Sequence, residues 1–106
     1  MKAEKVKADF VNLETHVGSF RETKFGTRCN MTYEDLLLVM ECGDKTVRVH
    51  ARNIGNVHSE KKAIRIAAMN FEIAEKGADP SVLSGSIRLE FADQKTADAW
   101  FKELWG

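Results

Sequence analysis

The chain has 106 residues, 43% of them hydrophobic and 30% charged, with 16 Lys+Arg balanced by 16 Asp+Glu. That length supports one hydrophobic core, so residues 1–106 are read as a single domain. A net charge of zero argues against binding nucleic acid or an anionic membrane by bulk charge, though it leaves room for a local basic patch. There is no uninterrupted apolar run of about 18 residues, so no transmembrane segment is expected.

The opening "MKAEKVKADF" lacks the apolar stretch of a cleaved signal peptide, which argues against that export route. A whole protein and a domain cut from a longer one remain equally open. Cys29 and Cys42 are the only cysteines. A reduced intracellular chain is the simpler expectation, with a single Cys29–Cys42 bridge as the alternative.

In chain order, "VKADF" alternates through Val6, Ala8 and Phe10, the pattern of a strand with one buried face. "SFRETKFG" sets Phe20 and Phe25 on opposite faces and predicts a bent or bulged strand. The run Leu36 to Met40 in "DLLLVMEC" predicts a central strand buried on both faces, in preference to a short helix. "CGDKT" supplies Gly43 and Asp44 for a hairpin turn. In "TVRVHAR", Val47, Val49 and Ala51 are expected to point inward, with Arg48, His50 and Arg52 outward. "KAIRIAAMNFEI" changes phase after Ile64 and Ile66, which predicts a bulge near Ala67–Ala68. "EKGADPSVLSGS" holds the only proline, Pro80, and reads as one long loop. "SIRLEF" is again strictly alternating.

Asp93 is the expected N-cap of a final helix. Its apolar stripe is Ala97, Trp100, Phe101 and Leu104. Trp105 falls off that stripe, either covering the loop or meeting a partner. Such a helix must cover apolar surface, here the open end of a bent sheet. Six or seven antiparallel strands plus one helix make an α+β layered fold or a capped barrel.

About seven strands and one C-terminal helix resemble the pleckstrin-homology-like architecture, a partly open barrel that hosts many unrelated binding functions. Within that superfold the order of segments resembles a Ran-binding domain of nuclear-transport and nuclear-pore proteins. In "VKADFVNLETHVGSFRETKFGT", Phe10 fills the strand aromatic, Phe20 stands at the family's tryptophan, and Arg21, Glu22 and Gly26 complete the hairpin motif. In "LLLVMECGDKTVRVHARNI", Thr46, Arg48, Ala51, Asn53 and Ile54 fill the central hairpin positions. Glu41 and Cys42 stand where the family commonly has an arginine pair. "IRLEFADQKTADAWFKEL" resembles its last strand and helix.

The resemblance implies non-catalytic recognition of a Ran-type small GTPase in its GTP form, in nucleocytoplasmic transport. The location would be intracellular: nucleus, nuclear pore or cytoplasm. In that family a basic surface receives the GTPase's acidic tail, a task suited to arginine's bidentate geometry. The partner-binding candidates are therefore Arg21, Lys24, Arg28, Thr46, Arg48, Arg52 and Asn53. Outward residues of an alternating strand are polar in any soluble sheet, so Arg48 and Arg52 are equally well read as solvated.

A diverged scaffold module binding a peptide or protein is the alternative, followed by a phosphoinositide site drawing on Lys5, Lys7, Arg21 and Lys24. His16, His50 and His58 follow no metal-ligand spacing. No phosphate loop or nucleophile motif is present. No cofactor, metal or enzyme activity is expected.

Overall fold

In a computed structural model, residues 1–15, 18–19, 23–24 and 28–105 are described. Within them lie nine strands: β1 (Lys2–Thr15), β2 (Gly18–Ser19), β3 (Thr23–Lys24), β4 (Cys29–Glu34), β5 (Leu37–Cys42), β6 (Lys45–His50), β7 (Ile54–Glu60), β8 (Ala63–Glu75) and β9 (Ser81–Glu90). A 3-10 turn, Ala51–Asn53, joins β6 to β7, and one helix, α1 (Gln94–Trp105), ends the chain.

All pairing is antiparallel. β1, β4, β5, β6, β8 and β9 pair in that order, and β9 returns to β1. The ring is a closed six-stranded barrel, which removes most exposed strand edges. The partly open barrel expected from the strand count is therefore corrected: the long strands β1 and β8 each reach two or more neighbours and close the circle. Both β6 and β7 pair with β8, β6 at its C-terminal part and β7 at its N-terminal part.

Alternation fills the interior. Val6, Ala8 and Phe10 of β1, Ile87 and Leu89 of β9, and Val47 and Val49 of β6 are buried, as their period of two requires. Phe10 meets Phe71 across the core, ring centroids 6.3 Å apart. No polar or charged side chain is buried among the described residues. The barrel is packed solid rather than hollow.

Several expectations shift. β5 is a strand, but it buries one face only: Leu38, Met40 and Cys42 point in, while Leu37 and Val39 are half-buried and Leu36 is 69% exposed. Asp35 and Leu36 instead form the two-residue turn from β4 to β5. The phase change of β8 falls at Met69–Asn70, just beyond the predicted Ala67–Ala68. There the register with β9 slips between Ala68 and Phe71, and Asn70 takes φ 52°. Its amide donates to the Ser84 hydroxyl oxygen at 3.0 Å.

The predicted long loop shrinks to residues 76–80, because Ser81–Ser86 belong to β9 and pair with β8 or β1. Gly85 explains the glycine in that strand. A Cβ there would lie 2.9 Å from the Asn12 carbonyl oxygen, on the neighbouring β1. Ala51 leaves the strand for the 3-10 turn and is only half-buried. Phe20, Phe25 and their predicted bend lie outside the described residues.

The cysteines expected to be reduced are joined. Cys29 and Cys42 continue the β4–β5 register one pair beyond Asn30 and Glu41, with Cα atoms 4.3 Å apart and sulfurs bonded. That spacing suits directly opposed residues of an antiparallel pair. Both half-cystines are buried.

Asp93 caps α1 as predicted: its carboxylate oxygen accepts the Thr96 amide at 2.8 Å. Ala97, Trp100 and Leu104 are buried beneath the helix, and Phe101 packs against the core. Trp100 stacks on Phe91 at a centroid distance of 6.0 Å. The helix packs on β7 and β8, and its last turn lines an open groove together with the β4–β5 turn. It closes one end of the ring. Trp105 is 59% exposed and stacks on Phe101, one turn back. No described helix is long and apolar enough to cross a membrane.

Candidate functional site

The two tight turns at either end of β5 set the surface that carries the predicted residues. From Cys42, Gly43 (φ 66°) and Asp44 reverse the chain into β6. Gly43 stands at the first central position, where a positive φ suits glycine. Beside it ends β8, and the Lys76 amide donates to the Asp44 carbonyl at 3.0 Å. Lys45 lies 3.7 Å from the Asp44 carboxylate and 3.4 Å from that of Glu75.

Between this hairpin and β8 runs an open groove of about 350 Å³, lined in part by Glu41, Thr46, Arg48, Ala74, Glu75 and Lys76. The pleat explains the lining. Thr46 sits between Glu41 and Ala74 on the neighbouring strands, and Arg48 between Val39 and Glu72. These outward positions form two adjacent rows on the barrel wall. No family model, no curated protein and no solved structure matches this chain.

Of the predicted residues, Thr46 and Arg48 are thus brought into one groove. Arg52 and Asn53 lie on the 3-10 turn beyond the far end of β6. Arg28 is exposed just before β4, where its guanidinium donates to the Lys5 carbonyl at 3.3 Å. Lys24 lies in β3 opposite Asp9, its backbone alone being described. Arg21 lies outside the described residues. The described cations therefore occupy separate stations on the barrel. Arg48 itself stands among Glu41, Glu72 and Glu75, which makes its groove mixed in sign.

A second charged face escaped the sequence reading. Glu60 bridges two arginines that face each other across β8 and β9, at 3.0 Å from Arg65 and 3.3 Å from Arg88. Glu90 lies 3.9 Å from Arg88 on the other side. Like charges placed opposite each other repel unless a counter-charge intervenes, and Glu60 supplies it. The sequence signal was only the outward phase of Arg65 and Arg88, which is silent about a carboxylate arriving from β7.

His50 is exposed, and His58 shares a 2.9 Å hydrogen bond with the Asn56 side-chain amide. Among the described residues no three His, Cys, Asp or Glu side chains gather as a metal-binding group. Among the described residues the one clearly perturbed acid is Asp93: the Thr96 backbone and hydroxyl hydrogen bonds hold its carboxyl below the usual range. This is a helix cap and offers no reacting centre.

Proposed function

We propose that this chain is a non-catalytic protein-recognition domain of the pleckstrin-homology-like kind, and that its partner is a Ran-type small GTPase in the GTP form, in nucleocytoplasmic transport. The observation that carries the reading is the shared groove of Thr46 and Arg48, two positions that the resemblance to Ran-binding domains marks for contact. Arg48 offers a planar fork to a carboxylate of the partner's acidic tail. Thr46 adds a hydroxyl that donates or accepts. The acids around Arg48 compete with that tail, so they restrict binding to a partner whose own cations meet Glu41, Asp44 and Glu75.

The test is binding of purified Ran to the immobilised chain, loaded once with a non-hydrolysable GTP analogue and once with GDP. Binding of the GTP form alone, weakened by salt and lost in Arg48→Glu, is the expected result. Equal binding of both forms, or none, overturns the GTPase reading. The mixed sign of the groove favours one second reading, a scaffold module that takes a peptide or protein of mixed charge. Vesicles carrying phosphoinositide give the third arm, and lipid binding there would move the function away from proteins altogether.

A further inference from the structure

Closing the barrel gives almost every strand a neighbour on both sides, and β7 is the exception. Among the described strands it is the only one longer than two residues that pairs with a single neighbour, β8. Its register shift is confined to the Ile54 end, and residues 56–60 run unbroken against residues 63–67. No described backbone group bonds to the outer edge of residues 56–60. α1 packs against β7, yet Val57 is the one buried side chain of that strand, and Gly55, His58 and Ser59 stay exposed. Open edges are ordinarily guarded by proline, by lysine or by a bulge that breaks the strand. Residues 56–60 carry none of the three. Such an edge offers N–H and C=O groups at strand spacing, and what matches them all at once is another extended chain.

The side chains beside the edge select the kind of chain. His58, Arg65 and Arg88 are direct partners across β7, β8 and β9, so they form one outward row that begins at the open edge. The acids nearby are already engaged. Glu60 is shared between Arg65 and Arg88, and Glu90, 3.9 Å from Arg88, stands opposite Lys7. The Asn56 side-chain amide nitrogen donates to His58 Nε2 at 2.9 Å, which puts the ring proton on Nδ1 and leaves that atom as a donor. Directly opposed residues on neighbouring strands favour opposite charge. A carboxylate set against His58 by a strand added outside β7 would meet that donor with two arginines behind it. A second copy of β7 is a poor occupant, because its only acid is Glu60, which the two arginines hold.

We infer that the free edge of β7 takes an extended, acidic segment of a partner protein as one further strand, with a carboxylate of that segment against His58. This edge adjoins the N-terminal part of β8, whereas the Thr46–Arg48 groove adjoins its C-terminal part, so the two surfaces are separate.

The probe is a capped eight-residue peptide alternating glutamate with threonine, titrated to about 2 mM into the isotope-labelled full chain and followed by NMR. Cross-strand contacts between the peptide backbone and residues 56–60 are expected, with saturable binding that weakens as salt is raised. Lysine in place of glutamate should abolish binding. His58→Glu should weaken it at least about tenfold with little change in the thermal midpoint, since His58 is exposed. Methylating the peptide's backbone nitrogens tests the strand itself. In an added strand only alternate N–H groups face β7, so methylating the glutamate nitrogens and methylating the threonine nitrogens should differ at least about tenfold in effect. No saturable binding, equal binding of the lysine peptide, or equal effects of the two methylation patterns would each overturn the inference. Protection of the β7 amides that rises with protein concentration in the absence of peptide would overturn it too, by giving the edge to a second copy. The probe holds no GTPase, so failure here leaves the GTPase reading to its own test.

Discussion

The two ends of β5 solve the same problem in opposite ways. Each must reverse the chain in two residues. At the Cys42 end the sequence provides Gly43 for the positive φ, pairs Lys45 with two carboxylates, and staples β4 to β5 through Cys29–Cys42. At the Glu34 end it holds Asp35 and Leu36 in left-handed backbone and leaves a large apolar side chain in water. One end meets the turn's backbone demand with glycine, and the other meets it with an aspartate and a leucine, at a cost in backbone strain. Closure of the strained end falls to α1, whose buried Trp100 stacks on Phe91.

The largest expected effect tests that closure. Trp100→Ala empties the centre of the helix–barrel contact and should cost about 3–5 kcal/mol in urea unfolding, by lost transfer free energy plus the cavity left behind. If α1 were an ornament on a self-sufficient barrel, the loss would be far smaller. Next comes the staple at the other end. Unfolding in the presence of a thiol reductant should be easier by about 2–4 kcal/mol, because the bridge limits the unfolded chain across a separation of 13 residues. An unchanged midpoint with fully reduced cysteines would place the stability of that end in the Gly43 turn instead.

The sharpest contrast is one of sign. Gly43→Ala forces a Cβ into left-handed backbone and should cost about 1 kcal/mol. Leu36→Gly relieves about 1–2 kcal/mol of the same strain and gives back about 0.5–1 kcal/mol in unfolded-chain entropy. It should leave the isolated chain more stable by about 0.5–1 kcal/mol, since Leu36 buries little within it. Paired thermal melts of the two variants at low concentration read both signs directly. Two losses of equal size would show that Leu36 packs within its own chain and would dissolve the contrast between the ends.

This contrast also explains what was legible in the sequence. Gly43–Asp44 announced its turn because glycine is the residue such backbone favours. Asp35–Leu36 did not, because leucine there obeys no local rule and merged with the apolar run that follows. Strict alternation in "VKADF" and "SIRLEF" gave the buried faces of β1 and β9, and Asp93 gave the start of α1. Alternation assigns a face but names no neighbouring strand, so neither the closure of β9 onto β1 nor the opposition of Cys29 and Cys42 could be read. Ser84, Gly85 and Ser86 looked like loop because they are small and polar, yet all three pair within the sheet, and Gly85 has no room for a Cβ beside the Asn12 carbonyl oxygen. The candidate site suffered in the same way. Arg48 and Arg52 are exposed as expected, but a barrel turns outward positions in many directions, and of the described candidates only Thr46 and Arg48 share a groove.

The smallest effect concerns the start of the helix that closes the strained end. Asp93 accepts hydrogen bonds from the Thr96 amide and hydroxyl, and these hold its folded-state pKa below the unfolded value. The folded state therefore binds this proton more weakly than the unfolded state. The cap's contribution is complete above the unfolded pKa and is lost as pH falls through the lower folded pKa. Asn is also a good N-cap acceptor but does not titrate, so Asp93→Asn separates the two roles. Thermal midpoints from neutrality down to about pH 2 should show the wild type slightly ahead near neutrality, where the carboxylate also meets the helix dipole. The lead should shrink and vanish in acid. A constant difference across the whole range would mean that Asp93 acts by shape alone, and that the closure of this end is indifferent to its charge.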